Sequence, residues 1–129
     1  MVLIQQLLIL SLLAAAIMAQ CPAPADLKLN SVCARMFEDS SYYNDKSCGG
    51  SYLDAKNGDD FPFMPLGWGN RISSMVVATR CEIRVWSTAA KLGNNRLFST
   101  GTYYQLRDYA QGLFGDWNNA ISSYYCKCN

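Results

Sequence analysis

Trp117-Asn118-Asn119-Ala120-Ile121-Ser122-Ser123 stands 49 residues after Trp68-Gly69-Asn70-Arg71-Ile72-Ser73-Ser74, and the two strings agree at five of seven positions. An internal period of this size marks two similar supersecondary units that share one core. Each unit also opens alike. Cys33-Ala34-Arg35-Met36-Phe37-Glu38 and Cys81-Glu82-Ile83-Arg84-Val85-Trp86 begin 48 residues apart. In the second, Ile83 and Val85 alternate with Glu82 and Arg84, the period-two pattern of a half-buried strand.

Further strands are expected at 51–55 and 61–64, the latter after the Asn57-Gly58-Asp59-Asp60 turn, and at 75–77 after the first repeat. In the second unit they are expected at 96–99, 103–106 and 124–126. Pro62 and Pro65 push their segment toward an edge. Tyr43–Gly50 and Ala89–Asn95 read as Gly-containing turns, and Cys21–Asn30, with Pro22 and Pro24, as a stiff non-helical lead-in. Leu106, Tyr109 and Leu113 fall on one face at helical spacing, which predicts a helical turn there. The fold class that follows is all-β: two Greek-key motifs, about 31–79 and about 80–129, forming an antiparallel sandwich.

Residues 2–19 carry no charge, and Leu7–Ala19 is apolar except for Ser11. Such a stretch fits the hydrophobic region of a secretory signal peptide at 1–19, with Ala16 as an alternative cleavage position, and is short for a membrane span. An uncleaved anchor is the other reading, although no basic stop-transfer run follows. The remaining 20–129 has the size of a single domain. Cys21, Cys33, Cys48, Cys81, Cys126 and Cys128 all follow the signal, an even number that reads as three disulfides stapling a small core. Spacing does not choose among the fifteen pairings. A zinc site is disfavoured, because the chain has no His and Cys126-Lys127-Cys128 is too tightly spaced.

The same lack of His removes the Ser-His and Cys-His nucleophile pairs, and Asp59-Asp60 sits in a turn, so no catalytic residue and no enzyme activity is expected. A net charge of +1 with scattered Lys and Arg argues against nucleic acid. Trp68, Trp86 and Trp117 read as core or corner packing. In Tyr42-Tyr43, Tyr103-Tyr104 and Tyr124-Tyr125 adjacent rings should point to opposite faces of a strand. Each pair would then expose one ring, suited to a bilayer surface or a subunit interface.

Asn118–Ser123 matches the Asn/Asp-Asn/Asp-x-x-Ser/Thr-Ser calcium motif of βγ-crystallin domains at every defined position; Gly69–Ser74 departs at its first. Longer strings, among them Cys21-Pro22-Ala23-Pro24-Ala25-Asp26-Leu27-Lys28, Cys48-Gly49-Gly50, Phe98-Ser99-Thr100-Gly101-Thr102-Tyr103 and Tyr125-Cys126-Lys127-Cys128, resemble the syncollin family in order and over essentially the whole mature length. That resemblance implies a homo-oligomeric protein of the zymogen-granule lumen. It would lie peripherally on the lumenal face of the granule membrane, a sterol-rich surface, serve regulated exocytosis, meet exocytic proteins there, and be released on secretion.

The βγ-crystallin resemblance also implies a calcium ligand set. Ser122, the Ala120 carbonyl and the neighbouring Asn119 would join the Glu38-Asp39 loop, and, as a weaker set, Ser73 and the Arg71 carbonyl would join the loop near Ser87. Oxygen-only ligation suits Ca²⁺. Without an ion, the same Ser and Asn side chains would hold the turns by bonding backbone.

Overall fold

The computed structural model describes residues 21–41 and 46–129. The signal segment at 1–19 and the Tyr42-Tyr43 pair lie outside the described residues. The elements are a short helix α1 (Pro24–Leu29) and the strands β1 (Ala34–Asp39), β2 (Gly49–Ala55), β3 (Asp60–Phe61), β4 (Ser74–Thr88), β5 (Leu92–Tyr103) and β6 (Ser123–Cys128). Single 3₁₀ turns stand at Ala89–Lys91 and Leu106–Asp108.

Every named strand pair is antiparallel, and hydrogen bonding runs β2-β1-β4-β6-β3 with β5 beside β4. The 15-residue β4 joins the two halves. Its first part, 74–77, pairs with β1, and its second, 81–86, pairs with β6. Between them Arg80 takes φ +60°, a left-handed kink that swings the strand from one sheet to the other. The halves also exchange strands. β3 of the first half pairs with Tyr124 and Tyr125 of the second, while Gly101–Tyr103 of β5 returns to pair with Met75–Val77 of the first. This gives the two-Greek-key, disulfide-stapled sandwich that the repeat predicts.

The period-two pattern of β4 buries Cys81, Ile83 and Val85 against Met36, Met75, Val77, Phe98, Ile72, Ile121 and Trp117. Three disulfides close it: Cys21–Cys48, Cys33–Cys126 and Cys81–Cys128. The last joins residues directly opposite each other on β4 and β6, and Cys33–Cys126 spans 93 residues across the core.

Four expectations are corrected. Residues 24–29 are helical because Pro24 starts the helix, where a missing N–H costs nothing and its fixed φ suits the turn; Leu27 then anchors it in the core. The strand expected at 61–64 stops at Phe61, since Pro62 has no N–H to give the ladder. In the second unit, the strand expected at 103–106 ends at Tyr103 and 106–108 forms one tight turn; Leu113 lies beyond it, exposed. Ladder pairing within Ala89–Asn95 resumes at Leu92, after the single 3₁₀ turn.

Trp117 is fully buried and Trp68 half-buried against the core, whereas Trp86 is half-buried outside that cluster. Of the tyrosine pairs, Tyr124 points into the core and Tyr125 outward at half exposure, as strand alternation requires. Tyr103 and Tyr104 are both half-buried. Tyr103 packs edge-on against Phe98 and donates its hydroxyl to the Ser99 carbonyl.

Candidate functional site at the paired corner

The two copies of the repeat meet. The Asn70 N–H donates to the Ile121 carbonyl at 3.1 Å, and the Asn119 N–H donates to the Ile72 carbonyl at 2.9 Å. Their side chains repeat the exchange. Ser73 Oγ donates to Asn119 Oδ1 at 3.0 Å and Ser122 Oγ to Asn70 Oδ1 at 2.8 Å. Asn70 and Asn119 each adopt left-handed backbone, φ +55° and +54°, which Asn tolerates better than other non-Gly residues. Three positions shared by both copies thus build a corner with approximate two-fold symmetry, the isoleucines beneath it fully buried.

Each copy then reaches the strand that opens a unit, and the pairing is the reverse of the one expected. Ser122 Oγ also donates to the Ser87 carbonyl at 3.0 Å, its N–H to the Trp86 carbonyl, and Ser123 Oγ to the Thr88 carbonyl. Ser73 and Ser74 take the other loop, the Ser73 N–H donating to the Phe37 carbonyl and Ser74 Oγ to the Asp39 carbonyl. Ser122, with Ala120 two residues before it, therefore belongs to the Ser87 side, while the Asn119 side chain bonds Ser73, which stands with Arg71 toward Glu38 and Asp39. β4 is responsible: it carries Ser74 to the end of β1, and its far end delivers Trp86 to Ser123.

Glu38 is engaged. The Ser51 N–H donates to Oε1 at 3.1 Å, and Arg71 Nη2 forms an ion pair with Oε2. The Ser51 bond first, and Arg71 second, hold this carboxyl below the usual Glu range. Arg71 also donates to the Gly67 carbonyl and lies over the Trp68 ring at 5.1 Å. Gly50, at φ +75°, lets the hairpin close onto this carboxylate. A Cβ there would come within 2.5 Å of Glu38 Cγ.

These donors do not fit calcium. The ion needs six to eight oxygens, and carboxylates supply most of the attraction. On the Ser73 side a guanidinium already occupies the Glu38 carboxylate. On the Ser122 side the oxygens in hand are hydroxyl, amide and carbonyl, and Ser122 Oγ is already bonded to Asn70 Oδ1 and the Ser87 carbonyl. Among the described residues the sole gathering of three metal-ligand side chains is Cys33, Cys81 and Cys128, and all three are in disulfides. Two features escaped sequence reasoning: Asn70 as the partner of Ser122, and the exposed apolar tips Leu66, Leu113 and Phe114. Leu66 and Leu113-Phe114 each border a Gly shortly before a Trp-initiated repeat, a signal that could have found them.

Comparison with known proteins gives the same picture at two levels. An archaeal βγ-crystallin superposes with a TM-score of 0.56 at 22% identity, covering 74% of this chain and 98% of that one. A βγ-crystallin domain of the abundant perithecial protein of Neurospora crassa, solved in its Ca²⁺-bound form, gives 0.56 at 13% identity over 77% and 91%. Both likenesses are of fold. Human syncollin is 46% identical over 112 residues, 84% of either chain, and rat syncollin 49% identical over 111 residues, 84% of this chain and 83% of the rat one. The sequence profile of the family described as Syncollin matches residues 20–128. With residues 20–128 matched, this chain belongs to the syncollin family, built on a βγ-crystallin-type fold.

Proposed function

We propose that this protein is a non-catalytic component of the secretory-granule lumen that self-associates, binds the lumenal face of the granule membrane peripherally and supports regulated exocytosis. The observation that carries the reading is the match with syncollins along residues 20–128. Three disulfides that leave no free cysteine among the described residues suit an oxidising lumen. The absence of His from all 129 residues favours a role without acid–base chemistry at neutral pH. No helix among the described residues is long and apolar enough to cross a membrane, which is compatible with attachment from one side. A secreted calcium module without a membrane role is disfavoured by the committed corner donors.

Subcellular fractionation tests the reading. Expressed with its full leader in exocrine acinar cells, the protein should co-sediment with zymogen-granule membranes, be stripped by alkaline carbonate, and sediment as an oligomer after release. Recovery in the soluble granule content alone, or in a constitutive secretory fraction, would overturn it.

A further inference from the structure

Three loops converge where the corner forms. The segment 62–73 and the segment 109–122 end in the two mutually bonded copies of the repeat. The third, 89–94, leaves β4 at Thr88, beside Ser122 and Ser123. It is tied to the first by the Ala90 N–H donating to the Pro62 carbonyl at 2.7 Å, and to β3 just before it by the Lys91–Asp60 ion pair. It is tied to the second by Asn94 Nδ2 donating to Gln111 Oε1 at 3.2 Å. All three tips therefore lie at one end of the sandwich, opposite the end that holds Cys81–Cys128 and Asn129.

That end is apolar at its extremities. Leu66, Leu113 and Phe114 are 102%, 94% and 91% exposed, and Phe63 and Leu92 are more than half exposed. Five large apolar side chains on three bonded loops exceed the scattered surface hydrophobics normal for a monomer. Of the remaining exposed ones, Phe61 on β3 adjoins the first loop, while Leu29, Tyr52 and Leu97 sit apart on α1, β2 and β5.

We infer that this loop end is the membrane-docking surface, seating Phe63, Leu66, Leu92, Leu113 and Phe114 in the acyl boundary of an uncharged, zwitterionic bilayer. The inference rests on the peripheral membrane reading and says which face performs it. Shape favours lipid over a protein partner. A protein interface packs its anchors into pockets, whereas Leu66, Leu113 and Phe114 each project from the surface with almost no contact, an arrangement fluid acyl chains accommodate. Charge favours a zwitterionic surface. Two of the cations at the base of the tips are neutralised internally, Arg71 by Glu38 and Lys91 by Asp60, and a third, Arg96, is held on the Ala110 carbonyl and over the Phe98 and Tyr109 rings, so no cluster of free cations stands there to demand anionic lipid. The half-buried Trp68, Trp86 and Tyr125 lie just behind, and Lys91 stands near both the Trp86 and Tyr125 rings. Amphipathic aromatics of this kind settle at the headgroup level.

The test uses the purified, oxidised protein and phosphatidylcholine vesicles, with and without phosphatidylserine, in low salt and in about 1 M salt, where the Debye length falls to about 3 Å. Wild type should float with phosphatidylcholine equally at both salts and gain little from phosphatidylserine. Leu66→Ser with Leu113→Ser and Phe114→Ser should lower partitioning by at least about a thousandfold, roughly tenfold or more for each side chain removed from the acyl phase. The control Leu29→Ser with Tyr52→Ser and Leu97→Ser should float as wild type does. A Leu113→Trp variant gives a readout independent of lost binding, since the emission it adds should shift to the blue on vesicles and be quenched by brominated acyl chains.

Equal loss in the control, or an indole signal at position 113 that stays unquenched on bound protein, would overturn the assignment of this face and leave peripheral attachment standing. Binding that requires phosphatidylserine and vanishes in salt would overturn the hydrophobic mode. Loss of self-association by the loop variant in lipid-free buffer would make the end a subunit interface instead. Absence of wild-type flotation with every vesicle would sink the underlying membrane reading as well.

Discussion

Tyr124→Phe should make this protein more stable, and the size of the gain follows from where the hydroxyl lies. Tyr124 is fully buried on β6, between Arg84–Val85 of β4 and Phe61 of β3, whose ring meets it edge-on at 5.3 Å. Its hydroxyl has no hydrogen-bond partner among the described residues. A buried, unpaired hydroxyl costs about 1–3 kcal/mol, while the space its removal leaves is a small fraction of a methylene-sized cavity. The variant keeps the ring contact and should gain about 1 kcal/mol, or about 4–8 °C in Tm for a domain of this size. Alkaline pH supplies a second, sign-specific check. Burial first, and the nearby Asp59 carboxylate second, push the phenol well above its ordinary value. A group raised on folding contributes its full stability below its unfolded pKa, about 10 for Tyr, and loses that contribution as pH rises from there toward the folded pKa. Wild type should therefore lose up to about 1.4 kcal/mol per pH unit above pH 10 through this side chain, and the variant should not. Tyr103, also raised by burial and then by Tyr109, adds a decline common to both proteins. Urea unfolding of the oxidised proteins at pH 7, 9 and 11 reads the difference. A variant that is about 1 kcal/mol less stable at pH 7, with a gap unchanged at pH 11, would show that the hydroxyl is bonded inside the core and would refute the reasoning.

The corner should be indifferent to calcium: Tm of the wild type should be equal in about 1 mM calcium, within the range extracellular modules sense (about 10⁻⁴ to 10⁻³ M), and in chelator. A rise of several degrees that Ser122→Ala abolishes would contradict the donor assignment. Removing Cys33–Cys126 as an Ala pair, with Cys81–Cys128 intact, opens a loop of about 50 residues, because the remaining bridge already shortens the path. Chain entropy puts that loss at about 4 kcal/mol, and the buried position of both sulfurs adds a packing cost. Removing Cys21–Cys48, which closes a separation of 27 between half-buried Cys21 and buried Cys48, should cost about 3.5 kcal/mol with a smaller packing cost; urea midpoints in the opposite order would be wrong for this fold.

Much of the fold was legible because its chemistry is local. A five-of-seven repeat, a period-two strand after Cys81 and an even set of cysteines each carry their meaning within a few residues, and all three stand in the structure as read. What was not legible depends on which segments cross in space. Two near-identical strings cannot say which unit's opening loop each will face, since exchanging them leaves the pattern unchanged. The choice is made by β4 swinging at Arg80 and by β3 and the end of β5 changing sides. The apolar tips were hidden for a different reason. Leu113 falls on the same helical spacing as the buried Leu106, and periodicity cannot distinguish a residue that enters the core from one that the chain carries past it. Pro24 was read as a breaker, although the same fixed φ starts a helix when it stands at the first position.

The divergence between the two copies sharpens what the corner is for. The positions they share, Asn70 with Asn119, Ile72 with Ile121 and Ser73 with Ser122, are the ones that bond or pack across the approximate two-fold, so a change in one copy would orphan a donor or acceptor in the other. The positions that differ, Gly69 with Asn118 and Arg71 with Ala120, make none of these reciprocal bonds, so symmetry asks nothing of their side chains. Arg71 uses that freedom to clamp Glu38 and the Gly67 carbonyl, tying the loop that carries Leu66 to the end of β1 by a side-chain cation. Ala120 offers no such side chain, and the other opening loop is held through Ser122, Ser123 and backbone carbonyls. Both loops are anchored at their bases by fixed protein groups, so the apolar tips Leu66, Leu113 and Phe114 beyond them can stand almost fully exposed without loosening the corner. A corner that depends on an ion would couple the tips to calcium concentration; one closed by Arg71 and reciprocal Ser–Asn bonds presents them regardless of it.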